Sequence, residues 1–189
     1  MLAALLAGVL TGEGAAQSLD PGPPGPFVVD VRGLAQGVPT DAGLHPAVAP
    51  GATVPGRALG VGVAGHVYVL PTGAGRLGVG GEATLGRGSG PDASLTLGTV
   101  SPFLSLNFGT ADGWSYLGAG VGVARVRPSP GTSLSVRSVV LGGGARWFPW
   151  RHVGVGFDLR LHRLAAGTRD GTSLPASSLL SVGVGLSLK

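Results

Sequence analysis

Along most of its length this sequence alternates, residue by residue, between a bulky apolar side chain and a small or polar one. The clearest run is Leu59-Gly60-Val61-Gly62-Val63-Ala64-Gly65-His66-Val67-Tyr68-Val69. A period of two is that of a β-strand, whose successive side chains point to opposite faces. Here Leu59, Val61, Val63, Val67 and Val69 fall on one face, and Gly60, Gly62, Ala64, His66 and Tyr68 on the other. The pattern predicts eight strands, at about 27–35, 57–70, 76–87, 94–108, 114–127, 134–147, 152–164 and 177–188. Sheets with one apolar face must hide that face in something apolar, and eight is an even number.

Composition says what that apolar medium is. Of 189 residues, 43% are hydrophobic and only 12% charged, which is apolar for one domain of this length. Yet no unbroken apolar run reaches the ~18 residues that a spanning helix needs. The 37 glycines and 15 prolines also disfavour helices. A closed sheet is the remaining way to pair every backbone polar group inside a bilayer. The expected fold is therefore all-β, an eight-stranded antiparallel up-and-down transmembrane β-barrel, with valine and leucine rows facing lipid. Zero cysteines exclude disulfides, thiol catalysis and cysteine metal sites. The net charge of +4 comes almost wholly from arginine, and no basic run or basic-aromatic motif points to nucleic acid as a partner.

The chain divides into three parts. Residues 1–16 hold a short apolar core followed by small residues, which reads as a signal peptide cut after Ala16, although its start lacks positive charge. Residues 17–26, including Asp20-Pro21-Gly22-Pro23-Pro24-Gly25-Pro26, form a Pro/Gly-rich spacer, and 27–189 form the barrel. The connections alternate: 71–75, 109–113 and 148–151 are short, whereas 36–56, 88–93, 128–133 and 165–176 are longer. Short periplasmic turns opposite longer external loops are the rhythm of an outer-membrane barrel. Aromatics gather beside the short turns, so Phe27, Phe108, Trp114, Trp147, Phe148 and Trp150 are expected to form a girdle at the periplasmic interface.

On Tyr116-Leu117-Gly118-Ala119-Gly120-Val121-Gly122-Val123-Ala124, Leu141-Gly142-Gly143-Gly144-Ala145-Arg146-Trp147-Phe148, Val153–His162 and Val182–Lys189, the sequence resembles the small eight-stranded outer-membrane β-barrel proteins, the porin-like group of Gram-negative-type bacteria. The resemblance covers nearly all of the chain after the leader, through alternation rather than particular residues. It implies residence in the bacterial outer membrane and insertion by the barrel-assembly machinery. Members of the group usually finish on an aromatic residue, whereas this sequence finishes Leu188-Lys189.

Strand parity sends Asp30, Arg32, His66, Glu82, Arg146, Asp158, Arg160 and His162 inward. Buried charges are costly unless paired, so three carboxylates should meet three arginines, with His66 reaching Glu82 diagonally. An eight-stranded barrel is just wide enough to be filled by its own side chains, which favours a plugged interior. The many inward glycines leave room for a narrow lumen instead. In the fourth strand the apolar parity switches between Leu95/Leu97 and Leu104/Leu106/Phe108, which predicts a bulge near Thr99-Val100-Ser101-Pro102.

At the opposite strand ends stand Arg57, Arg87, Arg125, Arg127, Arg137 and Arg163. Long basic side chains snorkel where strands leave hydrocarbon. Guanidinium groups also fit phosphate, so contact with a lipopolysaccharide-type glycolipid is the sharper reading. No catalytic constellation is legible: His162 has Asp158 nearby in sequence but no serine beside it, and only Ser177, Ser178 and Ser181 of the last strand offer hydroxyls. His45, His66, His152 and His162 lack metal-ligand spacing, and nothing suggests a cofactor. The function expected is an integral barrel with a structural, adhesive or small-solute role, its oligomeric state open. The alternatives are a soluble lipocalin-like binder with the barrel's faces inverted and, third, a lipid-modifying enzyme.

Overall fold

The computed structural model describes residues 25–38, 51–53, 55–72, 75–169 and 172–189. The expected signal peptide, nearly all of the spacer and most of loop 36–56 lie outside the described residues. Among those described, ten strands form: β1 (Phe27–Gly37), β2 (Arg57–Thr72), β3 (Gly75–Ser89), β4 (Ser94–Thr110), β5 (Gly113–Ser129), β6 (Leu134–Trp147), β7 (Val153–Leu164), β8 (Gly167–Arg169), β9 (Thr172–Leu174) and β10 (Ser177–Leu188). Eight of them close into an antiparallel barrel in the order β1-β10-β7-β6-β5-β4-β3-β2. The small β8–β9 hairpin stands apart from the wall, within the last long connection. The eight wall strands are those the alternation predicts. β1 to β5 run one or two residues further than expected, and β4 and β5 are joined through Ala111-Asp112 alone.

Burial follows the period of two. β1 alternates exposed and buried at every residue from Phe27 to Gly37. The outward rows are large and apolar: Leu59, Val121 and Val184 are 72%, 63% and 65% exposed. Such rows occur on all eight wall strands, so the barrel wears a continuous apolar belt. On β7 the outward set Val153, Val155, Phe157, Leu159 and Leu161 matches the ~9–11 residues a tilted strand uses to cross a bilayer. An inverted, lipocalin-like barrel buries these rows; here they face out.

The bulge expected near Thr99–Pro102 is absent. The β3–β4 ladder keeps one register from Arg76↔Asn107 to Ser89↔Ser94. The β4–β5 offset is the same at Val100↔Val123 and at Phe103↔Gly120. What changes along β4 is polarity, not register. Leu95 and Leu97 point inward together with Thr99, Ser101 and Phe103. Above the belt, Val126, Leu134 and Val136 also face in, whereas Arg125, Arg127, Ser135 and Arg137 face out. A wall that is apolar outside and polar inside in hydrocarbon becomes apolar inside and polar outside where it enters water. The β4–β5 ladder skips Ser101 and Pro102 without changing offset, whereas the register shift among the described residues lies in β2, between Tyr68 and Leu70.

Candidate functional site

The interior has three layers. At the short-turn end Val28, Tyr68, Trp114 and Phe148 form a floor. At the long-loop end a larger apolar cluster, with Leu95, Leu97, Val126, Leu134, Leu164 and Leu179, forms a ceiling. Between them lies a charged layer held by strands from around the barrel.

Asp30 on β1 receives Arg146 of β6 through two bonds, Nε to Oδ1 at 2.9 Å and Nη2 to Oδ2 at 2.6 Å. This forked geometry is the strongest form of guanidinium–carboxylate pairing. Ser187 of β10 donates a further bond to Asp30 Oδ1 at 2.6 Å. Arg32 forms an ion pair with Asp158. Arg160 lies 2.9 Å from Glu82 Oε2 through Nε and 3.6 Å from Asp158 Oδ2 through Nη2. Tyr116 donates to Asp158 at 3.2 Å and accepts from Arg160 at 3.2 Å. The Arg146 guanidinium also lies 4.2 Å from the Tyr116 ring centroid, and that of Arg160 lies 4.7 Å from the Phe103 centroid. Three acids and three arginines thus cancel in a layer that is almost completely buried.

Inward glycines make this layer possible. A Cβ on Gly118 meets the Phe103 ring, one on Gly142 comes within 2.9 Å of Arg160 Nη1, and one on Gly183 within 2.9 Å of Asp158 Oδ1. The volume those glycines leave is taken by long side chains from neighbouring strands. The free space among Asp30, Arg32, Tyr116, Arg146 and Asp158 is about 10 Å³, the scale of one water.

Several expectations need correction. Trp114 and Phe148 do not belong to an outer girdle: both are buried and stack at 4.6 Å and 14°, with Tyr68 edge-on to Trp114 at 6.1 Å. The strand period carried this signal, since Trp114 shares the parity of inward Tyr116. Phe27, Phe108, Trp147 and Trp150 do face outward at that end. Glu82 is paired with Arg160, whereas His66 shares a 3.3 Å bond with Ser105 and meets Phe103 edge-on at 5.7 Å. The His66–Glu82 pairing rested on the hairpin alone and left out β7. Sequence reasoning also missed Lys189. Its ammonium donates to Ala111 O and sits 4.2 Å from the Phe148 centroid, while its backbone N–H donates to His152 O, tying the barrel's last strand to two turns. Burial pulls the Lys189 pKa down, with Asp112 opposing.

His162 is fully buried, and neither ring nitrogen has a hydrogen-bond partner among the described residues. Leu179 stands directly opposite it on β10, and Ser178 faces outward, accepting a bond from Arg163 at 3.0 Å. Among the described residues no three histidine, aspartate or glutamate side chains group closely enough to hold a metal. The six arginines of the upper rim are all exposed on the outer wall, from β2 round to β7.

No family model matches the chain, and no curated protein does. Solved structures do. Neisserial surface protein A superposes with a TM-score of 0.63 at 12% identity, covering 86% of this chain and 96% of that one. The outer membrane protein OprG from Pseudomonas aeruginosa gives 0.56 at 10% identity, covering 88% and 97%. The fold is that of a small outer-membrane barrel. At such low identity the likeness lies in strand number, closure and alternation, the features the period of two dictates.

Proposed function

We propose that the protein is an integral outer-membrane barrel that works as a closed scaffold, fixing its long external connections at the membrane surface without conducting solute. The observation that carries this reading is the three-layer interior: an aromatic floor, a neutral layer of interlocked ion pairs and an apolar ceiling. A water column across the barrel needs a polar lumen that is continuous from floor to ceiling and at least one water wide. Here the long side chains of Arg32, Arg146 and Arg160 reach into that lumen from their own strands, and each guanidinium is held by a carboxylate of another strand. Eight-stranded barrels are of the size that side chains fill. An adhesive or structural role therefore ranks above solute passage.

The test is electrical. Refolded protein inserted into planar phospholipid bilayers should give no discrete conductance steps, while an unboiled gel sample migrates as a compact barrel. Regular steps from such preparations contradict the closed reading.

A further inference from the structure

Four arginines of the upper rim sit on one patch of outer wall. Thr96 pairs with Arg87 on one side and Arg127 on the other; Gly98 pairs with Leu85 and Arg125. Arg125 stands opposite Ser135, so Arg137 is its diagonal neighbour. Diagonal cross-strand neighbours lie about 7–8 Å apart, and Arg125 and Arg127 about 7 Å apart along their strand. All four are exposed, and among the described residues none is within ion-pair distance of a carboxylate. Like charges packed this closely repel unless an anion lies between them. Every acid of the barrel's middle is already committed to the interior.

Below the arginines the wall is hollowed. A groove of about 420 Å³ runs past Arg125, Arg127, Gly98 and Ala83, and a second of about 590 Å³ continues past Gly81, Gly65 and Pro102. The two share Ala83 and Val100, so they adjoin in one track that passes the Val100 side chain, itself 64% exposed. From Gly98 to Pro102 it runs about 14 Å along β4 at ~3.4 Å per residue, which at a strand tilt of ~40° is a depth of about 10 Å, a third of the ~30 Å hydrocarbon core. Its floor holds outward Gly65, Gly81, Ala83 and Gly98, between the exposed side chains of Val63, Leu85 and Val100. The fold does not require those glycines. A Cβ on Gly65, Gly81 or Gly98 meets nothing closer than 3.4 Å, unlike the inward glycines, many of which abut backbone.

We propose that this face of β2–β6 binds one molecule of a phosphorylated, acylated lipid, its phosphate held by Arg125 and Arg127 with Arg87 and Arg137 flanking, and one acyl chain laid in the track below. Guanidinium forks suit phosphate oxygens, and the cationic head joined to an apolar track matches a lipid rather than a soluble anion. The inference rests on the transmembrane reading and goes beyond it in naming a ligand class and a site.

Native mass spectrometry of the folded barrel in detergent micelles tests it, with bisphosphorylated lipid A as probe. The wild-type chain should retain one lipid A. Arg125→Gln with Arg127→Gln should weaken retention about tenfold or more, as expected for lost charge-assisted bonds. Gly98→Leu, whose Cβ the backbone accepts, should do the same by filling the track. Dephosphorylated lipid A should bind the wild type about tenfold more weakly, a comparison that needs no variant to fold. Millimolar inorganic phosphate should not displace the lipid. Wild-type-like retention by either variant, equal binding of the dephosphorylated lipid, or displacement by inorganic phosphate overturns the proposal. Failure of the wild type itself to migrate as a folded, detergent-held barrel instead defeats the transmembrane reading beneath it.

Discussion

Asp30 shows how one residue ties distant parts of the chain together. It accepts two bonds from Arg146 and one from Ser187, so β1, β6 and β10 meet at a single carboxylate. Removing one partner of a buried ion pair costs about 3–5 kcal/mol, because the other charge is left stranded, whereas removing both costs far less. Asp30→Asn should therefore lower unfolding stability by about that amount, and Asp30→Asn with Arg146→Met should recover most of the loss, read from urea midpoints in micelles. An equal loss in both variants indicates that the pair is not the stabilising unit. The inward position of each charge was legible from strand parity alone, as was their three-to-three balance. Who pairs with whom was not. Arg160 reaches Glu82 from β7 to β3, strands far apart in the wall, and the alternation says nothing about contacts across a lumen.

At the scale of the strand, the number, order and nearly the ends of the wall elements follow from periodicity and turn residues. The misreadings came where the surroundings of a strand change along its length. In β4 the inward Leu95 and Leu97 mimic a slipped register only where lipid is taken to lie outside the whole strand. A strand that rises out of hydrocarbon reverses its polarity without skipping a residue. Trp114 and Phe148 leave the expected girdle for a related reason: parity, not nearness to a turn, sets the face an aromatic takes. The corrected arrangement separates the three tryptophans. In single-tryptophan variants reconstituted with bromine-labelled lipids, Trp147 and Trp150 should be strongly quenched and Trp114 scarcely at all. Comparable quenching of Trp114 returns it to the lipid face and removes the floor.

At the scale of the whole molecule, one arrangement accounts for the rest: apolar rows face outward all round the barrel, and the ion pairs are shielded within. A patch of exposed apolar side chains this extensive has no place in water. It also explains why the outer arginines stop where the belt stops, and why the inner leucines begin there. The protein has no cysteine, so each one introduced is unique. The most direct measurement is a nitroxide scan along β5 from Leu117 to Val126 in phospholipid bilayers, comparing collision with oxygen against a water-soluble nickel chelate. Leu117, Ala119, Val121 and Val123 should be in lipid, with oxygen access peaking at every second residue, and the nickel signal should rise at Arg125. Oxygen access peaking instead at Gly118, Gly120 and Gly122, or nickel access along the whole strand, contradicts the membrane-facing belt.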